Sequence, residues 1–230
     1  AENPFDRVIS YYGIFNTYYQ TVYLHIIKLL ATRKIPQDNW RILDIGCANG
    51  NFLQKLAQKN TSLELYGLDA SPKMIATARH RAPKLNWRIG NAEILPFPDK
   101  YFNLITIVDA LHYIQNQPLA FSECNRVLKP NGYLLIYTPS VDHIWSRAIL
   151  MSGKWVFNFD TEKFIKPPKL AQINQLAKIV SFNLLDKTML YFPSMLFIRY
   201  WLLLLHKPKL PNHEASANDI MQSNTNETKN

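Results

Sequence analysis

Apolar residues recur along this chain at two spacings, and the change from one to the other marks out its elements. From residue 5 to 30, aromatic and aliphatic side chains return every three or four positions (Phe5, Val8, Ile9 and Tyr12, then Tyr19, Tyr23, Ile26, Ile27 and Leu30), the period of an amphipathic helix. Gly13 interrupts the run, so residues 1–35 are expected to form a pair of helices. After the break at Pro36-Gln37-Asp38-Asn39, short apolar runs near 41–46, 63–69, 85–90, 102–109 and 132–138 read as strands. The segments 50–59, 72–80 and 118–129 between them read as helices. Ser71 followed by Pro72 supplies an N-cap and a proline at the first helical position, and Lys129-Pro130-Asn131-Gly132 supplies a stop. Strand and helix in alternation predict an α/β fold with a parallel central sheet.

Residues 139–180 show no convincing strand. They place Trp145, Trp155, Phe157, Phe159 and Phe164 among basic residues, a composition suited to a lid over a hydrophobic substrate, here bounded at 139–168. A helix at 169–180 and two strands near 182–191 and 195–205 follow. The run from Tyr191 to Leu205 is greasy enough to be tested as a membrane span. It is about 15 residues where roughly 20 are needed, and it contains Pro193 and Arg199. It reads instead as a strand with one apolar side open to a bilayer or a partner. Residues 207–230 are polar and are expected to be a disordered tail. With 230 residues and 47% hydrophobic content, the chain suffices for one domain, at 1–206, and is too short for two ordinary ones.

The most informative stretch runs from Arg41 through Asp44, Gly46, Cys47, Ala48 and Gly50 to Leu53: a short strand, a glycine-bearing turn, then an amphipathic helix. Gly46 and Gly50 permit backbone angles that a Cβ would block, and the helix start offers unpaired N–H groups, the arrangement of a nucleotide-cofactor site. The same turn could serve only to reverse the chain. A second acid, Asp69, ends the next strand 25 residues after Asp44, where it could accept both hydroxyls of a ribose.

Four segments in order, ILDIGCANG, LYGLDASPKMI, GNAEILPFPDKYFNLITIVDALHYI and NRVLKPNGYLLIYTP, resemble the motifs of the class I S-adenosylmethionine (SAM) dependent methyltransferases. The similarity is to the type 11 branch that includes the ubiquinone and menaquinone C-methyltransferases. It implies a Rossmann-like, doubly wound sheet of seven strands, mostly parallel with an antiparallel hairpin at the C-terminal edge, plus N-terminal helices and a lid insertion. It also implies SAM as cofactor. By resemblance, Asp44 and the turn Gly46, Cys47, Ala48 and Gly50 line the methionine end, Asp69 binds the ribose, and Ala70, Asn91, Ala92 and Glu93 surround the adenine. Tyr12 matches a tyrosine that closes over the cofactor, with Gly13 where an acid is more usual. Two further departures stand out. Ala48 replaces a glycine and is expected to hold an ordinary φ. Asn91 replaces an aspartate and can still accept a hydrogen bond, though without charge.

Methyl transfer from a sulfonium is an in-line displacement governed by positioning. Val108 to Tyr113 should lie at the carboxyl edge of the sheet, where open α/β sheets bind ligands. His112 is a general-base candidate there, with an equally good reading as a strand cap. Asp109 either contacts the sulfonium region or terminates the strand. No partner can be assigned to His143. His25, His112, His143 and His206 are far apart and lack metal-ligand spacing, so no metal is expected.

The formal charge of +9 is uneven: residues 126–209 hold 12 Lys/Arg against 4 Asp/Glu, while 1–125 hold 13 against 10. Such a surface suits nucleic acid, anionic lipid or an acidic substrate, or is plain solubility charge, and no base-reading motif accompanies it. Cys47 and Cys124 lack paired spacing, and no N-terminal leader pattern is present, so a reducing cytoplasm is expected. The expected function is methyl transfer to a small or lipophilic acceptor, quinone-like, prenylated or another hydrophobic metabolite. RNA or tRNA methylation is one alternative. A non-catalytic SAM-binding protein, with Ala48 and Asn91 as marks of decay, is another. A nicotinamide dehydrogenase fits worst, because the turn lacks G-x-G-x-x-G.

Overall fold

The computed structural model describes residues 16–142, 167–191 and 199–209. Tyr12, His143, most of the lid segment and the tail beyond 209 lie outside them. One helix, α1 (Asn16–Thr32), leads into alternating elements: β1 (Arg41–Ile45), α2 (Asn51–Lys59), β2 (Glu64–Asp69), α3 (Pro72–Arg81), β3 (Asn86–Ile89) and β4 (Phe102–Val108). A short 3-10 turn (Leu111–Tyr113), α4 (Gln117–Val127), β5 (Leu128–Pro139), α5 (Leu170–Ile179), β6 (Asn183–Tyr191) and β7 (Arg199–His206) follow.

The seven strands form one sheet in the order β3-β2-β1-β4-β5-β7-β6. The pairs among β1 to β5 are parallel, while β7 runs antiparallel to both β5 and β6. The expected mixed sheet with an antiparallel C-terminal edge is therefore present. Strand pleating sends successive side chains to opposite faces, and two cores result. Leu134 and Ile136 of β5 join Leu203 and Leu205 of β7 under Phe121 of α4 and Ile173 of α5. Leu135 and Tyr137 join Leu202 and Leu204 under Ile26 of α1, Phe52 of α2 and Ile75 of α3. With both faces covered, the central strands are buried at most positions, as Arg41–Ile45 and Phe102–Val108 are.

Ser71 caps α3 as its sequence suggests, its hydroxyl accepting from the Met74 N–H at 3.1 Å ahead of Pro72. The α4 boundary is corrected: the helix stops at Val127, and Lys129-Pro130-Asn131 belong to β5. Pro130 pushes its predecessor into extended backbone, so the switch to strand comes earlier than the stop signal suggests. A register shift between Phe102 and Leu104, with Asn131 at φ 63°, absorbs the irregularity opposite β4. At the other end of the sheet, Lys207 remains tied to β5, exchanging backbone bonds with Gly132 and Asn131 at 2.9 Å each.

Candidate functional site

β1 hands the chain to β2 on one side while β4 lies on the other, so the crevice outside the carboxyl ends of these strands is the topological switch point of the sheet. A cavity opens there. The turn after β1, the end of β2, the loop after β3 and the loop after β4 converge on it.

The turn is held from below. The N–H groups of Gly46 and Cys47 donate to the Leu68 carbonyl at 2.8 and 3.1 Å, and that of Gly50 to the Cys47 carbonyl at 3.0 Å. Gly46 and Gly50 sit at φ 71° and 78°. A Cβ on Gly46 would come within 2.4 Å of the Ala110 methyl, and one on Gly50 within 2.4 Å of the Trp87 ring. Ala48, between them, does not have the ordinary φ expected of it; it is left-handed at 47°. Its N–H donates to Asp69 Oδ2 at 2.8 Å, while Asp69 Oδ1 accepts from the Ser71 N–H at 2.9 Å. That bond aims the peptide at the acid, so the left-handed geometry persists despite the methyl. Relief of the strain sets an expectation: Ala48→Gly should leave stability unchanged or raise it by up to about 1 kcal/mol, the left-handed penalty being partly offset by glycine's chain entropy. Chemical denaturation would check it, and a clear loss of stability would contradict the strain.

Of the residues expected to hold a cofactor, Gly46, Ala48, Asp69, Ala70, Asn91, Ala92 and Glu93 line the cavity, together with Asp109. Asp44, Cys47 and Gly50 do not. Asp44 is 2% exposed, and its Oδ1 accepts from Thr106 Oγ1 at 2.6 Å. Asn91 and Glu93 brace one another, the Glu93 N–H donating to Asn91 Oδ1 at 3.3 Å, and Glu93 Oε1 accepts from the Asn116 N–H at 2.7 Å. Arg126 fastens the rest of this loop by donating to the Leu95 and Phe97 carbonyls at 2.9 and 2.8 Å. His112 is 3% exposed and stays off the cavity wall, whereas Asp109, Ala110, Tyr113, Ile114 and Gln115 form it. Among cavity residues the sequence reading overlooked, Met74 and Tyr113 carry apolar spacing that packing alone would explain.

Burial dominates the electrostatics. Asp44 is pushed up to about 7 by desolvation, partly offset by Thr106 and reinforced by the nearby Asp69 charge. Asp109 is likewise pushed up to about 7 by burial, with Tyr19 pulling it back. Burial holds His112 neutral, lowering it to about 3. Both aspartates bind protons more tightly folded than unfolded, so their contribution to stability is complete below the unfolded value near 4 and is lost as pH rises through about 7. His112 opposes this only below its unfolded value near 6.5. The protein alone should therefore lose stability between pH 6 and 8, by about 1 kcal/mol for each carboxyl. Asp44→Asn should flatten the decline measured by thermal unfolding; an unchanged slope would contradict the shift.

The cradle fits SAM. The Asp69 carboxylate stands on the cavity wall, the side chains of Ala70, Met74 and Ala92 give that wall apolar surface, and the missing Cβ at Gly46 leaves the backbone open. No helix among the described residues is long and apolar enough to cross a membrane.

Residues 43–136 match the methyltransferase domain family. The chain is 30% identical over 140 residues to a demethylmenaquinone methyltransferase of Thermotoga maritima, covering 59% of this chain and 60% of the relative. It is 32% identical over 138 residues to a 2-phytyl-1,4-naphtoquinone methyltransferase of Trichormus variabilis, covering 56% and 59%. The match thus spans about three fifths of the length of these curated relatives. A SAM-dependent methyltransferase structure from Thermotoga maritima superposes with a TM-score of 0.69 at 22% identity, over 89% of this chain and 98% of that one. The last likeness is one of fold.

Proposed function

We propose, from the premise that residues 43–136 are a methyltransferase domain of the class I SAM-dependent family, that this chain transfers the SAM methyl group to a small lipophilic acceptor of quinone type. The observation that carries the reading is the convergence of Gly46, Ala48 and Asp69 with the Asn91–Glu93 loop on one cavity at the switch point. When bound there, SAM supplies an activated methyl group. The chain's own task is to fix donor and acceptor in line and to exclude water.

The Gly46–Gly50 turn would hold the methionine end, Asp69 the ribose, and Ala70, Asn91, Ala92 and Glu93 the adenine. Asp44 would act from below, through Thr106 and the turn. Tyr12, from the sequence resemblance, would close over the site. The acceptor class rests on the names of the quinone methyltransferases that this chain resembles. The aromatic content of 139–168 suits the same class.

The test is to incubate the purified chain with SAM carrying a labelled methyl group and a reduced prenylated 1,4-naphthoquinone, then extract the lipid phase. Label in the quinol supports the reading. Label in added tRNA instead, lost as salt is raised, would replace it with nucleic-acid methylation.

A further inference from the structure

We propose that the Asp109 carboxylate receives the proton of the methyl acceptor, with Tyr19 as the residue that positions it, and that the acceptor is accordingly a hydroxylated aromatic ring and not an amine. This rests on the methyltransferase reading and names the group and acceptor chemistry within it.

Asp109 follows β4 directly, in left-handed backbone at φ 55°, its N–H pinned to the Tyr137 carbonyl at 2.7 Å. It lines the cavity beside Ala110 and Tyr113. Its two carboxylate oxygens differ. Oδ2 accepts from the Tyr19 hydroxyl of α1 at 3.0 Å. Oδ1 is buried and, among the described residues, accepts no hydrogen bond; His112 Nδ1, the nearest cationic candidate, stands 4.0 Å away, beyond hydrogen-bonding range. A carboxylate oxygen left so in the wall of a ligand cavity is completed by a ligand that brings a donor.

The groups around Asp109 leave it as the proton acceptor. Tyr18, Tyr19 and Tyr23 face it from α1, His112 and Tyr113 from the 3-10 turn, Tyr137 from β5 and Tyr200 from β7. Burial pushes Tyr18, Tyr23, Tyr113, Tyr137 and Tyr200 up, so they stay protonated and act as donors. It pushes His112 down to about 3, too weak a base for the task. Asp109, at about 7, is the group poised near neutral pH. A carboxylate ringed by phenols would also hold an amine, but as its ammonium, whose lone pair is unavailable. A ring hydroxyl instead becomes a nucleophile when its proton leaves.

The step balances. The acceptor O–H bond breaks, its proton passes to the Asp109 carboxylate, and the electron pair stays on the ring. The ring's oxygen, or the conjugated carbon, then bonds the methyl carbon as the carbon–sulfur bond breaks, with that pair going to sulfur. After attack by carbon, the ring oxygen takes its proton back from Asp109 and the ring C–H proton passes to the freed carboxylate. The ring thus regains its hydroxyl, and one proton is left on Asp109 for release to solvent.

The test uses the full chain, a short-chain 2-prenyl-1,4-naphthohydroquinone under anaerobic conditions, its 1,4-dimethyl ether, and phenethylamine as the amine probe. Asp109→Asn suits the backbone, because asparagine tolerates left-handed φ. Methyl transfer by Asp109→Asn should fall at least about a hundredfold, while its SAM affinity by calorimetry and its unfolding midpoint stay close to wild type. Tyr19→Phe should move the rising limb of the pH–rate profile upward by about one unit, since the hydrogen bond it removes lowers the Asp109 value. Calorimetry on protein loaded with S-adenosylhomocysteine should show the hydroquinone binding at least about tenfold tighter than its ether. Equal binding of the ether, methyl transfer to phenethylamine, unchanged transfer by Asp109→Asn, or loss of SAM affinity in that variant would each overturn the assignment. A wild-type chain that binds no SAM would instead overturn the underlying methyltransferase reading.

Discussion

Asp69→Ala is expected to weaken SAM binding by at least about a hundredfold, the scale of losing charge-assisted hydrogen bonds in a desolvated site. Two losses combine. The carboxylate holds the turn itself, accepting from the N–H groups of Ala48 at 2.8 Å and Ser71 at 2.9 Å, and it stands on the cavity wall, where it is proposed to meet the ribose. Alanine leaves both N–H groups without this acceptor and removes the proposed ribose partner. Asp69→Asn should fall between, because the amide keeps one oxygen and loses the charge. Calorimetry with SAM reads the affinity, and thermal unfolding of the same samples separates a lost contact from a collapsed turn. Wild-type affinity in the alanine variant would remove Asp69 from the site.

Gly46→Val should be the most destabilising change in the turn. Its φ of 71° is a region β-branched residues avoid, and any Cβ there would lie 2.4 Å from the Ala110 methyl. Backbone strain and overpacking each cost roughly 1–3 kcal/mol. The unfolding midpoint should therefore drop by about 10 °C for a chain of this size, with SAM binding lost because the shifted turn no longer lies over the Leu68 carbonyl. A rescue identifies the clash. Gly46→Ala should regain part of its lost stability when combined with Ala110→Gly, since the second change removes the colliding methyl but leaves the φ penalty. No coupling between the two positions in a double-mutant cycle would place the damage elsewhere.

The sheet was legible in the sequence because its physical signals agree. Apolar runs of strand length at β1, β2 and β4 are each followed by helical spacing, and Ser71-Pro72 announces α3. The hairpin of β6 and β7 was legible through the family resemblance more than through its composition, which reads almost as a membrane span. The end of α4 is not legible in Lys129-Pro130-Asn131-Gly132, a tetrapeptide that signals a helix stop, because Pro130 acts on the residue before it.

At the site, glycines and acids announce themselves, and seven of the expected cofactor residues share the cavity. What failed to show was conformation imposed from outside the local sequence. Alanine is a residue from which ordinary φ is expected, and only the bond from its N–H to Asp69, 21 positions along, accounts for the geometry of Ala48. Tyr19 carries the same difficulty: its helical spacing marks it as packing, and its hydrogen bond to Asp109 spans 90 positions. Nor could spacing reveal that His112 and Asp44 are buried beneath the cavity surface and not on it. That distinction moved the proton-accepting role proposed here from His112 to Asp109.

Titration of the full chain with SAM by calorimetry tests the central claim, that the crevice beyond β1, β2 and β4 is a SAM site. One-site binding in the wild type, abolished in a folded Asp69→Ala variant, is the predicted result; a folded wild-type chain that takes up no SAM would contradict it.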